Sequence, residues 1–483
     1  MKDSAQQDFS SLPNPRKTAA MVILFWASVV MSAQAQTFST LFDFNQTDGA
    51  SPVGALVQGI DGNLYGVTSK GGSPHSCQGV SGCGTIFKTT TEGAVSAVHV
   101  FDLSDGAHPA AAPIQGTDGN FYGTTSSGGL HVVDGTLYSL TPDGTLTTIH
   151  NFSIPGGANP SGALVQGADG NLYGTAHYGG TNLSGTVFKA STAGTTSRLY
   201  NFCPLTGCAD GQAPTDGLIQ GTDGNFYGTT SVGGAHGHGT VFKMTPSGTL
   251  TTLYSFCAVA PNCADGATPN VPLVELGGVL YGTTFQGGAH ASGSIFSITV
   301  AGTIHILHSL CAQPSCADGS NPLAGLTLGN DGGLYGTTSA GGSFSRGTIF
   351  KVGTGGGFTT EYTFQATDGQ FPGGLLQDTD GNFYGALQIA GASGAGSVFR
   401  LSTGLSPFVK TLQASGRVGA SVIILGTDLT GATKVSFNGK TAVFTVESAT
   451  EIIAKVPGGA TTGTVQVVTP GGTLSSSTPF SVP

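Results

Sequence analysis

The chain has 483 residues, of which 9% are charged, 38% are hydrophobic and 80 are glycine, and its net charge is −10 at pH 7 with neutral histidine. The hydrophobic content excludes a disordered chain, and so much glycine with so little charge is typical of short strands joined by tight turns. Because nucleic acid binds basic surfaces that release its counterions, this acidic balance excludes nucleic acid as an expected partner.

The N-terminal segment has the organisation of an export signal. Arg16 and Lys17 precede an apolar run from Ala19 to Val30, and a small-residue cleavage site follows at Ala33-Gln34-Ala35. The run is shorter than the about 20 apolar residues of a typical membrane-spanning helix. We therefore predict a signal peptide over residues 1–35 with cleavage near Ala35. We expect no transmembrane anchor in the mature chain, and a secreted, periplasmic or cell-surface location.

Seven copies of one segment follow, each centred on an aromatic-Gly pair. The tyrosines of these pairs lie 49 to 57 residues apart: Tyr65, Tyr122, Tyr173, Tyr227, Tyr281, Tyr335 and Tyr384. A regular period of this length is typical of an array of small supersecondary units. In the fourth copy, residues 214–256 contain four β-type runs separated by turn residues, which predicts four antiparallel strands in each copy.

The fourth β-type run of each copy, which we expect to form the outermost strand, predicts how the array ends. It has seven instances, but the first, Thr37 to Phe44, precedes the first complete copy, and the last copy stops after Phe399-Arg400 without one. The N-terminal strand would complete the last copy and close a ring, which removes the exposed edges of an open array. We therefore predict an all-β fold in which residues 36–403 form a seven-bladed β-propeller closed by the N-terminal strand. Short β runs in residues 405–483 predict a separate immunoglobulin-like sandwich.

The cysteines fall in the loops of one face of this propeller. That face carries the loops between second and third strands and the loops to the next blade, and it is the expected binding surface. Even numbers of cysteines in an exported chain favour disulfides. The alternative is zinc, although the spacing recurs once per copy instead of converging on one site. The predicted pairs are Cys77 with Cys83, Cys203 with Cys208, Cys257 with Cys263, and Cys311 with Cys316.

Acidic residues recur in two series. The first belongs to an Asp-Gly pair in the loop to the next blade, and Gly156 replaces the acid in one copy; its members are Asp48, Asp105, Asp210, Asp265, Asp318 and Asp368. A ring of these carboxylates at the channel mouth would bind calcium or a cationic group, and Asp210, Asp265 and Asp318 are our candidate binding residues. The alternative is that each aspartate bonds the backbone of its own turn. The second series, in tight Asp-Gly-Asn turns, is interpreted as structural: Asp61, Asp118, Asp169, Asp223, Asp331 and Asp380.

Histidines recur two positions after the Gly-Gly of the second-to-third-strand loops, at His131, His236 and His290, with His238 near one of them. Imidazoles on the loop-rich face would bind a transition metal or act in acid–base chemistry, and the alternative is a solvated loop role. We keep His236, His238 and His290 as candidate binding residues. No cofactor is expected, and the metal content stays open.

Two resemblances follow from recurring motifs. Asp223 to Thr230, Gly233-Gly234 and Gly239 to Lys243 resemble the GloVer tandem-repeat family of exported bacterial proteins over residues 37–403. The tail, with Val435-Ser436-Phe437-Asn438-Gly439 and Thr469-Pro470-Gly471-Gly472, resembles an IPT/TIG domain. Both resemblances imply an exported protein, and neither implies a catalytic mechanism. Members of the repeat family often end in a hydrophobic helix and basic residues, which this sequence does not show after residue 404, so anchoring by that route is not expected.

We expect an exported, non-catalytic binding or adhesion scaffold that presents its loop-rich face to an extracellular protein or glycan. The alternative is a propeller enzyme, a glycan hydrolase or lyase, with Asp210, Asp265 or His236 in acid–base roles. No Ser/His/Asp or paired-carboxylate spacing supports catalysis. Charged residues that break the repeat are expected mostly on strands or outer positions: Lys70, Glu92, Arg198, Glu275, Arg346, Glu361 and Arg400. The sequence leaves the ligand and the oligomeric state open.

Overall fold

The described part of the repeat region folds into seven antiparallel sheets of four or five strands, and two further four-stranded sheets follow. The computed structural model describes residues 36–72, 76–77 and 80–483. The predicted signal peptide, residues 1–35, lies outside the described residues. In each sheet of the repeat region the strands pair in the order first, second, third and fourth, and in sheets 3 and 7 the first position is divided into two short strands that both pair with the second. No helix among the described residues is long and apolar enough to cross a bilayer.

The first strand of the described residues, β1 (Thr37–Asp43), precedes sheets 1 to 4. Sheet 1 contains β2 (Ala50–Gln58), β3 (Leu64–Lys70), β6 (Thr85–Thr89) and β7 (Val95–Val100), and a short hairpin of β4 (Ser76–Cys77) and β5 (Val80–Ser81) is inserted in it. Sheet 2 contains β8 (Ile114–Gln115), β9 (Phe121–Thr125), β10 (Thr136–Leu140) and β11 (Leu146–Asn151). Sheet 3 contains β12 (Ala158–Pro160), β13 (Val165–Gln166), β14 (Leu172–Tyr178), β15 (Thr186–Ala190) and β16 (Thr196–Asn201). Sheet 4 contains β17 (Ile219–Gln220), β18 (Phe226–Thr230), β19 (Thr240–Met244) and β20 (Leu250–Ser255).

Sheets 5 to 7 repeat this order. Sheet 5 contains β21 (Val274–Leu276), β22 (Val279–Thr284), β23 (Ser294–Thr299) and β24 (Ile304–Ser309). Sheet 6 contains β25 (Thr327–Leu328), β26 (Leu334–Thr338), β27 (Thr348–Val352) and β28 (Phe358–Thr363). Sheet 7 contains β29 (Gln370–Pro372), β30 (Leu376–Gln377), β31 (Phe383–Ile389) and β32 (Ser397–Ser402). Single-turn 3₁₀ helices occur at Thr206–Cys208 and Pro314–Cys316.

The N-terminal strand supplies the fourth strand of sheet 7. Strand β1 pairs antiparallel with β32, with Thr37 opposite Ser402 and Asp43 opposite Ser397. The pairing is interrupted by a bulge beside Phe42, and a bulge lies at the same place in the third-to-fourth-strand pairs of the other six sheets. The prediction that the N-terminal strand completes the last copy is therefore confirmed.

The glycine of each aromatic-Gly pair makes room for a buried ring. Gly228 lies directly opposite Phe242 in the pairing of β18 with β19. A Cβ atom at Gly228 would lie 2.7 Å from Cζ of Phe242 and 2.8 Å from Cδ2 of Leu218, which is closer than real Cβ contacts. The equivalent glycines of the other six sheets meet the ring or leucine of their own sheet in the same way. The motif thus follows from packing inside the sheet.

Apolar side chains join each sheet to the next. Tyr173 of sheet 3 and Phe226 of sheet 4 belong to one buried cluster, and their ring centroids lie 4.1 Å apart. Similar clusters join the other successive sheets, and a seventh joins Tyr384 of sheet 7 to Phe87 of sheet 1. Full burial of one such side chain contributes about 1.5–3 kcal/mol. The contacts between sheets therefore return from the last sheet to the first.

A row of glutamines on the first strands adds hydrogen bonds between sheets. Oε1 of Gln220 accepts from the N–H of Ala168 in sheet 3 at 2.9 Å, and Nε2 donates to the Gly224 carbonyl of its own turn at 3.0 Å. Equivalent bonds come from Gln115, Gln166 and Gln377. Nε2 of Gln58 in sheet 1 donates to Oγ1 of Thr379 in sheet 7 at 2.8 Å. Departures from the row are Glu275 in sheet 5 and Leu328 in sheet 6.

The C-terminal region has two sheets around one core. The first contains β33 (Lys410–Thr411), β34 (Ser421–Leu425), β38 (Glu451–Lys455) and β37 (Phe444–Val446) in that order. The second contains β36 (Lys440–Thr441), β35 (Lys434–Phe437), β39 (Val465–Thr469) and β40 (Gly472–Ser475). Their shared core includes Ile424, Phe437, Ile452 and Val467, all buried.

The packing of Gly228 predicts the effect of a single methyl group. Gly228→Ala should lower the free energy of unfolding by about 1–3 kcal/mol, because the new Cβ overlaps the Phe242 ring. The control is Gly355→Ala, where no atom lies within 4 Å of the added Cβ and φ is not left-handed. It should change stability by no more than about 0.5 kcal/mol. Denaturant unfolding measures both, and equal stabilities for the two variants would contradict this account of the motif.

Candidate functional site

The strand order divides the loops of the repeat region between two faces. We call loop face the surface formed by the second-to-third-strand loops and by the loops from each fourth strand to the next sheet. The first set comprises the described residues of 71–84, 126–135, 179–185, 231–239, 285–293, 339–347 and 390–396. The second set comprises 44–49, 101–107, 152–157, 202–211, 256–266, 310–319 and 364–369. We call turn face the opposite surface, which carries the tight turns between first and second strands.

Backbone hydrogen bonds join the loops of neighbouring sheets along the loop face. The N–H of Ala213 donates to the Ser184 carbonyl at 2.9 Å, and the N–H of Thr268 donates to the His238 carbonyl at 2.9 Å. In both cases the segment that enters one sheet is bonded to the second-to-third-strand loop of the sheet before it. The loop face is therefore one bonded surface instead of a set of independent loops.

Four disulfides lie in these loops, and the predicted pairs are confirmed. Three occur in consecutive loops to the next sheet, and one closes the second-to-third-strand loop of sheet 1. The bonded pairs are Cys77–Cys83, Cys203–Cys208, Cys257–Cys263 and Cys311–Cys316. Each bond restricts a short loop segment, so the disulfides hold local loop geometry on the loop face.

The carboxylate of Asp265 serves its own loop. Asp265 is buried, and its Oδ2 accepts hydrogen bonds from Oη of Tyr254 at 2.8 Å and from the N–H of Ala258 at 2.9 Å. Its Oδ1 accepts from the N–H of Val259 at 3.0 Å. These bonds tie the end of the outer strand to the disulfide loop that follows it.

Asp210 and Asp318 are buried in equivalent positions. Asp210 accepts from Oη of Tyr200 and from the N–H of Cys203, both at 3.0 Å. Oδ2 of Asp318 lies 2.9 Å from Nε2 of His308. Burial acts to raise the pKa of Asp318, but the bonds from His308 and from loop N–H groups outweigh it and lower that pKa. These contacts are those of the turn alternative. A calcium-binding role for the three aspartates, and an acid–base role for Asp210 or Asp265, stay predictions.

The three candidate histidines are exposed on the loop face. His236 and His238 lie in the loop of sheet 4, and His290 lies in the corresponding loop of sheet 5. In the part of the chain that the structure describes, one group of three possible metal ligands has its donor atoms within 4.8 Å of one another: His238, Cys257 and Cys263. Because the two cysteines form a disulfide, they offer no thiolate to a metal ion. Binding by the histidines also stays a prediction.

The second acidic series organises the turn face. Asp223 accepts hydrogen bonds from the N–H of Asn225 at 3.0 Å, from Oη of Tyr227 at 2.8 Å and from Nζ of Lys243 at 2.8 Å. Gly224, at φ 78°, provides the left-handed residue that this turn requires. Partial burial acts to raise the pKa of Asp223, but Lys243 and Asn225 outweigh it and hold the pKa at about 2. The structural interpretation of this turn fits these contacts.

The C-terminal domain lies against the turn face. Oγ1 of Thr450 donates to the Ile60 carbonyl of sheet 1 at 2.7 Å. The N–H of Phe408 donates to the carbonyl of Thr379 in sheet 7 at 3.0 Å. Nδ2 of Asn330 in sheet 6 donates to a carbonyl of the connecting segment. The turn face is thus in contact with another part of the same chain.

A cavity of about 500 Å³ lies between this domain and sheets 4 and 5. Its wall includes Glu275, Thr222 and the C-terminal residue Pro483. The Glu275 carboxylate accepts hydrogen bonds from the N–H and Oγ1 of Thr222, each at 2.7 Å. Glu275 stands at the position where five of the other six sheets have glutamine, and the adjacent turn has Gly277-Gly278 in place of Asp-Gly-Asn. The position at which the repeat pattern changes therefore lies at a cavity. The Glu275 carboxylate at this position is already hydrogen-bonded to Thr222.

Large apolar side chains are exposed on the loop face. They come from sheets 2 to 6 and occur in both sets of loops: Leu130, Val133, Ile154, Leu183, Leu205, Val232, Val259 and Phe344. Leu130 is 77% exposed and Phe344 is 55% exposed. Contiguous exposed apolar patches mark interaction surfaces, and these side chains are the candidates for such a patch on the loop face.

A model of the Gloeobacter/Verrucomicrobia repeat matches residues 28–142, 74–289 and 268–428. The chain belongs to this repeat family. The IPT/TIG domain model matches residues 403–482, so the predicted resemblances are both confirmed. Together the two matches account for nearly all of the described residues.

Solved structures share the fold at low sequence identity. The chain is similar to a fungal alcohol oxidase of the AA5 family in complex with copper, with TM-score 0.51, 13% identity, and coverage of 92% of this chain and 98% of that chain. It is also similar to the BP39L lectin from Burkholderia pseudomallei, with TM-score 0.51, 10% identity, and coverage of 74% and 97%. At these identities the likeness shows the fold alone. No curated protein matches the chain.

The burial of Asp265 and the exposure of His236 predict different effects of mutation on the free energy of unfolding. Asp265→Asn should lower the free energy of unfolding by about 1–3 kcal/mol, because an amide cannot accept all three hydrogen bonds of the buried carboxylate. His236→Ala, on the same face but exposed, should change it by no more than about 0.5 kcal/mol. Thermal or denaturant unfolding separates the two variants. A stable Asp265→Asn protein that loses a ligand or an activity would instead support a binding role.

Proposed function

We propose that residues 36–403 form a closed, seven-bladed β-propeller and that the protein is an exported, non-catalytic binding scaffold. Ring closure is supported by the apolar cluster between sheets 7 and 1 and by the bond from Gln58 to Thr379. Export is supported by four disulfides, which form in oxidising compartments. The ligand in this proposal is an extracellular protein or glycan bound on the loop face.

The observation that carries this proposal is the unequal exposure of the two faces. The loop face holds exposed apolar side chains such as Leu130 and Phe344, whereas the turn face is contacted by the C-terminal domain through Thr450 and Phe408. A partner that buries the loop-face side chains gains the hydrophobic contribution of each one. Burial of these apolar side chains would therefore favour the binding of a partner to the loop face.

The loops are also held in place before any partner arrives. Disulfides restrict four of them, and the buried Asp210, Asp265 and Asp318 bond the backbone of three. A surface that is already ordered loses less conformational entropy on binding, so more of its contact energy appears as affinity. The exposed side chains are mostly aliphatic, and the single tryptophan, Trp26, lies in the predicted signal peptide. Both features favour a protein partner over sugar rings that stack on aromatic side chains.

Array binding with matched variants tests the proposal. The purified chain from residue 36 is applied to arrays of extracellular proteins and of glycans, and its affinity for each hit is then measured. Leu130→Ser combined with Phe344→Ser should weaken binding by about tenfold or more, since anchors of this kind contribute about 1.4 kcal/mol or more. Val443→Ser, which removes an equally exposed side chain from the C-terminal domain, should leave binding unchanged.

The opposite pattern would refute the assignment of the binding face. If Val443→Ser weakens binding while the loop-face double variant binds normally, the C-terminal domain is the contact surface. If a hit is chemically converted at a saturable rate, the scaffold is an enzyme, and Asp265→Asn and His236→Ala then identify its acid–base groups.

A further inference from the structure

A second cavity, of about 380 Å³, lies in the groove between sheets 2 and 3. Its wall includes His150 at the end of β11, Gly156 in the following loop and Arg198 on β16. Gly156 is the position where the loops of the other six repeats carry an aspartate. The cavity is therefore found at the repeat whose loop carboxylate is missing.

At the other junctions, donors from the strand end and from the loop itself bind the carboxylate. Nε2 of His99 lies 2.8 Å from Oδ2 of Asp105, and the N–H of Asp102 donates to Oδ1 of Asp105 at 3.0 Å. A histidine bonds the aspartate in one further repeat and a tyrosine does so in three. The loop N–H that follows the strand-end aromatic donates to the aspartate in four repeats. Each of these junctions is therefore a binding site for a carboxylate, and an aspartate of the chain occupies it.

The same donor positions are present at the junction of sheets 2 and 3, where Gly156 replaces the aspartate. His150 occupies the position of His99, and Ser153 occupies the position of Asp102. The His150 ring bonds through Nδ1, to Oγ1 of Thr196 at 3.4 Å, and among the described residues nothing bonds its Nε2. Burial lowers the pKa of His150, so at neutral pH the ring is a neutral hydrogen-bonding group and another residue must supply positive charge.

Arg198 supplies that charge. It lies opposite Phe188 in the pairing of β15 with β16, and its Nη1 donates to the carbonyl of Pro155 in the same loop. The corresponding residues of the other sheets are uncharged: Thr40, Ala97, Thr148, Thr252, Ile306 and Thr360. No acidic side chain lines the cavity. The one repeat without the loop carboxylate thus has a guanidinium group facing the same loop.

We propose that this cavity binds the carboxylate of a small external ligand, and that a uronate sugar is the class it fits. Arg198 and His150 would hold the carboxylate through hydrogen bonds, of which those from guanidinium are charge-assisted. Phe152 and Phe188 give an apolar wall, and Ser153 adds a hydroxyl group for the sugar ring. The volume is within the about 300–1,000 Å³ of ordinary ligand pockets. This site shares the loop of residues 152–157 with the loop face, but the proposed carboxylate contacts come from Arg198 and His150 and do not require a protein partner.

Titration calorimetry with D-glucuronate tests the site, with D-glucose as the neutral probe and acetate as the bare carboxylate, all at constant ionic strength. The wild-type protein should bind glucuronate saturably and glucose undetectably, with acetate weaker than glucuronate. Arg198→Thr, which installs the residue of neighbouring sheets, should weaken glucuronate binding by about tenfold or more, as expected for loss of a hydrogen bond to a charged group. Lys189→Thr removes a positive charge from the same sheet at its salt bridge with Asp169 and should leave binding unchanged.

Gly156→Asp is the most discriminating variant, because it introduces the carboxylate that the loops of the other six repeats carry at this position. A Cβ at Gly156 meets no atom nearer than 3.7 Å, so the side chain has room. The variant should lose glucuronate binding and should melt at a higher temperature than the wild type, since His150 and Arg198 then bond the chain's own aspartate. Glucuronate binding that survives in Gly156→Asp, or glucose binding as tight as glucuronate, would overturn the proposal. If Gly156→Asp does not fold, equal glucuronate affinity in Arg198→Thr and Lys189→Thr overturns it.

Discussion

Every sheet of the repeat region depends on its neighbours to bury its apolar faces. A sheet of four short strands has too little core to be stable by itself, so the rings of one sheet must pack on those of the next, as Tyr173 packs on Phe226. In a linear array the first and last sheets would each keep one such face in water. The apolar cluster that contains Tyr384 and Phe87, together with the pairing of β1 with β32, connects the last sheet to the first and removes that cost.

The other recurring residues stabilise the interior of each sheet, the contacts between sheets and the tight turns. Gly228 and its equivalents let a ring lie across the sheet, Gln220 and its equivalents bond neighbouring sheets, and Asp223 and its equivalents fix the tight turns. These roles occupy the turn face and the interior, which leaves the loop face free to vary. Loops there differ in length, apolar exposure and disulfide content, while the strands beneath them keep the same register. A scaffold of this kind can change its ligand without changing its fold.

The sequence predicted the strands well because a period near 54 residues and alternating β runs repeat seven times, and each copy supports the others. It also predicted the N-terminal strand in sheet 7 and the four disulfides. It did not indicate the glutamine row, because a hydrogen bond from Gln220 to Ala168 joins residues 52 positions apart. The short strands Lys410–Thr411 and Lys440–Thr441 carry too few residues for an alternation to be seen.

The candidate site was harder to predict than the fold. Repetition singled out Asp210, Asp265 and Asp318, but residues that recur in most copies mainly stabilise their own copy, as their backbone hydrogen bonds indicate. The cavities lie where the pattern breaks, at Glu275 and at Gly156 with Arg198. Two of these positions, Glu275 and Arg198, were visible as irregular charges. Only the three-dimensional register brings Arg198 to the loop that lacks its aspartate.

A disulfide trap between β1 and β32 tests whether the N-terminal strand joins the last sheet and closes the ring. Thr37→Cys and Ser402→Cys place thiols on directly opposed residues of β1 and β32. We predict an intrachain bond between these two positions under mild oxidation, identified by peptide mass, in protein that remains monomeric. An absence of that bond, or a bond that joins two molecules instead, would mean that the ends of the array do not meet.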